Sequence, residues 1–211
     1  MIKPLILCYV LGPLDNNSYL LVDQESKDAA VIDPSDDPET LLVDAQQQGI
    51  QIKIILLTHA HFDHIAGVVS VANSQIPAIP VALHPDDLEL YRQGGGAGMF
   101  GLPFDPVPEP EMLLTEGQVI QVGSIEIEVR HTPGHTAGHV VFICHEAEVV
   151  FCGDLIFAGS VGRTDLPGGS YAQLLESIQR HILPLPPETS LLSGHGPETT
   201  VGKEASTNPY L

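Results

Sequence analysis

Apolar positions along the chain fall into runs of two kinds. Runs in which every position or every second position is apolar mark strands at Leu5 to Leu11, Ser18 to Val22, Ala29 to Ile32 and Ile52 to Leu57. Between the last two, Pro38 to Gln48 has helical spacing and stops at Gly49. Ala66 to Ser74 reads as a helix of small residues, Val81 to Leu83 as a short strand, and Pro85 to Arg92 as a helix with proline in its first turn. The tract Gln93 to Pro110, QGGGAGMFGLPFDPVPEP, holds too much glycine and proline for either regular form and is predicted to be a long loop of the lid or binding kind. Beyond it, Val119 to Val122 is a strand. Ile125, Ile127 and Val129 then alternate with Glu126, Glu128 and Arg130, as a half-exposed strand does. Val140 to Cys144 and Val149 to Cys152 read as buried strands, Ser170 to Ile182 as an amphipathic helix capped by Ser170, and Leu191 with Leu192 as a last strand. Two groups of strands, each with helices, predict an α/β fold of two sheets packed face to face and covered outside by helices.

At 211 residues with 43% hydrophobic content the chain reads as one domain over 1–211. Its 8 basic against 27 acidic residues give a net charge of −19, which repels phosphate backbones and anionic membranes and excludes nucleic acid as partner. Cys8, Cys144 and Cys152 form no Cys-x-x-Cys pair, which argues against a disulfide framework or thiolate zinc site and for a reducing compartment. The opening MIKPLILCYVLGPL has one lysine and no small-residue cleavage site, and Ser18 to Val22 reads as its strand partner, so it is not taken for a signal peptide. No run is long enough to span a bilayer, and the expected location is cytoplasmic.

Chemistry concentrates where strand patterns end. Thr58 to His64, THAHFDH, follows the strand at Ile52 to Leu57 and carries His59, His61, Asp63 and His64, whose lone pairs are costly to bury without a partner. Three other strand ends show the same feature: TPGH with His135, Asp154 after VVFCG, and His195 after LLSG. Loops at strand ends converge while the sheet stays rigid, so four such loops predict a shared metal centre. His135 and His139 are four apart, but Pro133, Gly134 and Gly138 discourage a helix and no glutamate follows the first histidine, which excludes the helical zinc-protease motif.

THAHFDHIAG, EGQVIQVGSIEIEVRHTPGHTAGHVVF, FCGDLIFAGSVGRTDLPGGS and SGHGPETTVGKE resemble, in order and spacing, the metallo-β-lactamase fold superfamily, and within it the short prokaryotic glyoxalase II-like (hydroxyacylglutathione hydrolase-like) proteins. The resemblance implies an αββα sandwich. It implies that His59, His61 and His135 hold one divalent metal, that Asp63, His64 and His195 hold a second, and that Asp154 bridges them. Zinc suits the nitrogen and oxygen donors, as do iron and manganese. A metal-activated water would then hydrolyse a small hydroxyacyl thioester, with Asp63 and Asp154 as the catalytic carboxylates and Asp63 orienting the nucleophile or taking its proton. Ser193 stands where similar sequences have proline, which is expected to loosen the turn carrying His195. Full-length glyoxalase II proteins have a C-terminal helical domain for glutathione, and none is expected here.

Asp154 disfavours β-lactam hydrolysis, since lactamases of this fold generally lack an aspartate at that position. Lactonases share the ligand set. Persulfide dioxygenases are the main alternative, because Gly162-Arg163-Thr164-Asp165 resembles a motif of theirs, in which a single iron would be held by His59, His135 and Asp154. Of the basic residues, Arg92 beside the glycine-rich loop and Arg163 after Asp154 lie near site loops, and they are the candidate substrate contacts. Arg163 could equally hold Asp165 in an ion pair.

Overall fold

Strands β1 (Leu5–Leu11), β2 (Asn16–Val22) and β3 (Asp28–Ile32) pair antiparallel in the order of the chain, and α1 (Glu39–Gln47) then crosses to β4 (Gln51–Leu56), parallel to β3. Helices α2 (Phe62–Ile65) and α3 (Val68–Ala72) lead to β5 (Val81–Leu83), and α4 (Leu88–Arg92) leads to β6 (Met112–Leu113), which completes a six-stranded sheet in the order β1-β2-β3-β4-β5-β6. The second sheet begins as an antiparallel meander of β7 (Val119–Val122), β8 (Ile125–His131), β9 (Val140–Cys144) and β10 (Val149–Gly153). A small hairpin, β11 (Ile156–Phe157) with β12 (Ser160–Val161), precedes α5 (Tyr171–His181). That helix returns the chain to β13 (Ser190–Ser193), parallel to β10, and β14 (Thr199–Thr200) and α6 (Val201–Thr207) follow. The computed structural model describes residues 2–211.

Alternation along the strands builds the layers. Tyr19, Leu21, Ile54 and Leu56 of the first sheet meet Ile127, Val129, Phe142 and Phe151 of the second in a shared core. The opposite faces bury under helices: Leu41, Val68, Val71 and Tyr91 cover the first sheet, while Leu174, Ile178 and Ile182 cover the second. This is the expected αββα sandwich. Ser170 caps α5, its hydroxyl accepting from the Gln173 amide, and Arg180 in the last turn favours its negative end.

Two helices depart from expectation. The one expected over Ala66 to Ser74 starts only at Val68, because the Gly67 amide donates to the Pro34 carbonyl at 2.9 Å instead of continuing a helix from α2. A Cβ on Gly67 would collide with the Ser35 carbonyl oxygen, so the close approach requires glycine. Pro85 to Arg92 is a 3-10 turn at Pro85–Asp87 followed by α4, since the Asp87 side chain turns inward to other loops. The tract Gln93 to Pro110 is irregular apart from one 3-10 turn at Ala97–Phe100. Among the described residues no helix is long and apolar enough to cross a membrane, and the three cysteines are free.

One carboxylate joins the two sheets far from the strand ends that carry histidines. Asp23, in the β2–β3 turn, accepts from the Ser124 amide at 2.6 Å and the Ser124 hydroxyl at 2.8 Å in the β7–β8 turn, and from the Glu25 amide at 2.9 Å. The Ser124 donors, against a burial cost, hold its carboxyl well below the usual range. A depressed folded-state pKa stabilises the fold above the ordinary carboxylate value and loses that contribution as pH falls. Asp23→Ala should therefore cost roughly 1–3 kcal/mol in urea unfolding at neutral pH. The difference from wild type should shrink once the pH drops below about 4.

Candidate metal centre

All seven candidate ligands come together at the ends of strands from both sheets. The segment after β4 supplies His59, His61, Asp63 and His64; the loops after β8, β10 and β13 supply His135, Asp154 and His195. Donor atoms of His59, His61 and His135 lie within 4.8 Å of one another, and so do those of Asp63, His64 and His195. His61 Nδ1 and His135 Nε2 are 2.8 Å apart. Asp154 faces both groups: Oδ1 is 3.4 Å from His64 Nε2, and Oδ2 is 3.6 Å from His135 Nε2 and 3.8 Å from His195 Nε2.

Four of the imidazoles are oriented by their other nitrogen. His59 Nδ1 meets the Thr58 hydroxyl at 3.0 Å, His64 Nδ1 the Asp33 carboxylate at 3.1 Å, His135 Nδ1 the Arg163 carbonyl at 2.8 Å and His195 Nδ1 the Leu14 carbonyl at 3.1 Å. Such partners fix the tautomer and turn the remaining lone pair to the centre. His59 Nε2 is buried with no hydrogen-bond partner among the described residues, and His64 Nε2 and Asp154 Oδ1, equally without a hydrogen bond, face each other at 3.4 Å. Burying these groups is costly, and a divalent cation would satisfy them; the residues fit the group. Gly194 makes the cradle, since a Cβ there would collide with Asp154 Oδ1.

Burial, reinforced by neighbouring imidazoles, pushes His59 well below its ordinary value and His61 down to about 3, which leaves both rings neutral and free to donate lone pairs. Burial also lowers His64, but Asp154, Asp33 and Asp63 outweigh it and hold the ring well above its usual value. Asp154 would rise on burial alone; His64, His135 and His195 instead bring it far below the carboxylate range. The carboxylates that favour a proton on His64 equally favour a metal cation, and binding one releases that proton.

Several supporting residues escaped the reading of the sequence. Asp33, at the end of β3, accepts from the Thr58 amide at 2.7 Å and its hydroxyl at 2.6 Å besides orienting His64. It obeys the same strand-end rule that singled out Asp154. Asn16 donates to Asp63 Oδ2 at 2.9 Å. His139 lies beneath His59, ring on ring at 5.2 Å, and its Nε2 accepts from the Asp154 amide at 3.2 Å. Asp87 is buried and accepts from the Ala60 amide at 3.0 Å, the Thr136 hydroxyl at 2.7 Å and the Gly138 amide at 2.6 Å, so it clamps the segment carrying His59 and His61 to the loop carrying His135. Ser193 does not loosen its turn: its hydroxyl donates to the His195 carbonyl at 2.8 Å, and its own carbonyl accepts from Asn17 and Tyr19.

The centre opens into a cavity of about 890 Å³ lined by parts of the glycine-rich loop, by Leu14, Phe62 and Leu166, and by Arg163. Arg92, the other candidate substrate contact, is not among the lining residues of this cavity and is bonded to Glu109 at 2.8 Å. Arg163 lines the cavity but spends its guanidinium on Asp165, at 2.7 and 2.8 Å. A separate group, His84, Asp86 and His131, has ring nitrogens engaged with the Asp86 amide and the Ala137 carbonyl.

An αββα sandwich with clustered histidines and aspartates at its strand ends defines a class of metal-binding proteins. The family model of the metallo-β-lactamase superfamily matches residues 11–195, and the chain belongs to that superfamily. Hydroxyacylglutathione hydrolase GloC of Haemophilus influenzae is 36% identical over 196 residues, covering 92% of each chain. The chain is also similar to the crystal structure of BLEG-1 B3 metallo-β-lactamase, at 38% identity and a TM-score of 0.92 over 98% of this chain and 99% of that one. TTHA1623 in a di-iron-bound form is 46% identical with a TM-score of 0.88, over 97% of this chain and 100% of that one.

Asp87 touches no candidate ligand side chain, yet its removal frees three buried donors at once. Asp87→Ala is expected to weaken divalent-cation affinity by about 10–100-fold, measured by competition against a chromogenic chelator.

Proposed function

We propose that this chain is a metal-dependent acyl hydrolase of glyoxalase II type, acting on small hydroxyacyl thioesters in the cytoplasm. His59, His61 and His135 hold one divalent cation, Asp63, His64 and His195 a second, and Asp154 lies between them. The observation that carries this reading is the division of seven donors into two groups joined by a carboxylate, with the buried lone pairs of His59, His64 and Asp154 unpartnered. The nitrogen and oxygen donors suit zinc, and the likeness to a di-iron protein keeps iron as the alternative metal.

Cations held by these residues would supply a water acidified to a pKa of about 7 and polarisation of the scissile carbonyl. The protein's own groups do the rest. Asp63, its Oδ2 steadied by the Asn16 amide, would orient the attacking water or take its proton. The new carbon–oxygen bond forms as water attacks, the carbon–sulfur bond breaks on collapse, and the thiolate leaves to be protonated, giving a carboxylic acid and a thiol. The cavity beside His61, Asp63 and Asp154 receives the substrate.

The likeness to BLEG-1 makes β-lactam hydrolysis the second reading, against the expectation drawn from Asp154. Metal-loaded protein should cleave S-lactoylglutathione, followed by loss of thioester absorbance, with kcat/KM toward the lower end of the enzymatic range, about 10⁴ M⁻¹s⁻¹. Efficient opening of a penicillin or cephalosporin with every thioester left intact would establish the second reading instead. Oxygen consumption with glutathione persulfide and no hydrolysis would make the chain a dioxygenase.

A further inference from the structure

The cavity's walls do not match an anionic carrier. Leu14, Phe62, Met99, Phe100, Leu102 and Leu166 form much of the lining. Met99 is 63% exposed, Phe100 53% and Leu102 46%, a cluster of large apolar side chains left facing water at the mouth of the site. Contiguous exposure of this kind marks a binding surface. The wall is anchored rather than loose. Gly95, at φ +62°, lets its carbonyl accept from the Phe62 amide at 3.0 Å, a Cβ there would collide with that amide, and the rings of Phe62 and Phe100 lie 5.6 Å apart.

Charge points the same way. Arg163 is the one cationic side chain among the described lining residues, and both its Nε and Nη2 are bonded to Asp165. Arg92 is bonded to Glu109 outside the cavity. With a net charge of −19 around them, the carboxylates of glutathione or the phosphates of a nucleotide carrier meet on this wall one guanidinium already paired with Asp165, and a repelling field beyond it. An uncharged chain loses nothing to that field and gains from every apolar contact.

We propose that this cavity is a subsite for an uncharged apolar chain, so that the preferred substrates are neutral thioesters bearing a medium-length alkyl chain rather than thioesters of anionic carriers. The subsite rests on the thioesterase reading for the bond that is cleaved and adds what lies beside that bond. Met99, Phe100 and Leu102 set the selectivity, so S-lactoylglutathione, small and anionic, is cleaved at the lower end of the enzymatic range and longer neutral thioesters are preferred to it.

Binding of non-hydrolysable thioethers separates this inference from turnover. Metal-loaded protein would be titrated calorimetrically with S-methyl to S-octyl ethers of N-acetylcysteamine, which are neutral, and with the same ethers of glutathione. The Kd of the neutral series should fall about 3–4-fold for each added methylene, the factor equivalent to about 0.8 kcal/mol. Glutathione ethers should bind more weakly at each length, with a gap that narrows as salt is added. Phe100→Ser and Leu102→Ser, at exposed positions, should flatten the dependence on length. A Kd independent of chain length, tighter binding of the glutathione series, or a length dependence unchanged in both variants would overturn the subsite. Length-dependent binding without cleavage of any thioester would leave the subsite standing and sink the hydrolase reading.

Discussion

Burying a carboxylate and several imidazole lone pairs at one point is the constraint on which the rest of the structure turns. Asp154 Oδ1 has no hydrogen-bond partner among the described residues and meets only His64 Nε2, at 3.4 Å, while His59 presents a buried nitrogen with no partner at all. Without a cation such an arrangement costs several kcal/mol per group. Its upkeep therefore depends on geometry that makes cation binding strong enough to offset the desolvation. Since β4 belongs to one sheet and β8, β10 and β13 to the other, the centre also fastens the two halves of the sandwich, and metal affinity becomes part of folding stability.

The positioning comes from groups outside the seven candidate ligands. Asp33 holds Thr58 and His64, His139 holds the Asp154 amide, and Asp87 holds loops from both sheets. Asn17 donates to the carbonyls of Ser193 and Gly196, at 2.9 and 2.8 Å, so the start of β2 grips the turn that carries His195. Buried hydrogen bonds of this kind are worth more in their absence than in their presence, because each lost partner strands another polar group. Glycine enters where a side chain has no room: Gly194 against Asp154 and His64, and Gly162 against the Asp154 carbonyl.

The αββα arrangement was legible because strand alternation and helix spacing report burial directly, as Ile125, Ile127 and Val129 do in β8. The seven clustered side chains were legible because they sit at strand ends, four of them in one short run and beside motifs that resemble a known family. Asp87 was not: in sequence it is one of several acids on a helical pattern, and only the tertiary fold brings Ala60, Thr136 and Gly138 to it. Arg92 shows the converse: it is near the glycine-rich loop in the chain, but its guanidinium is bonded to Glu109. The short pairs β6, β11, β12 and β14 gave no periodic signal, each being two residues long.

Occupancy of the two halves of the centre tests the account most directly. Protein stripped with chelator and reloaded with zinc, or anaerobically with iron, would be passed through a desalting column and its metal counted by mass spectrometry, for wild type and for His195→Ala. Two cations per chain in the wild type and close to one in the variant, with turnover reduced by about 10²-fold or more, is the result expected if His195 completes a second site with Asp63 and His64. A single tightly held cation in the wild type, unchanged in number by His195→Ala, would contradict it.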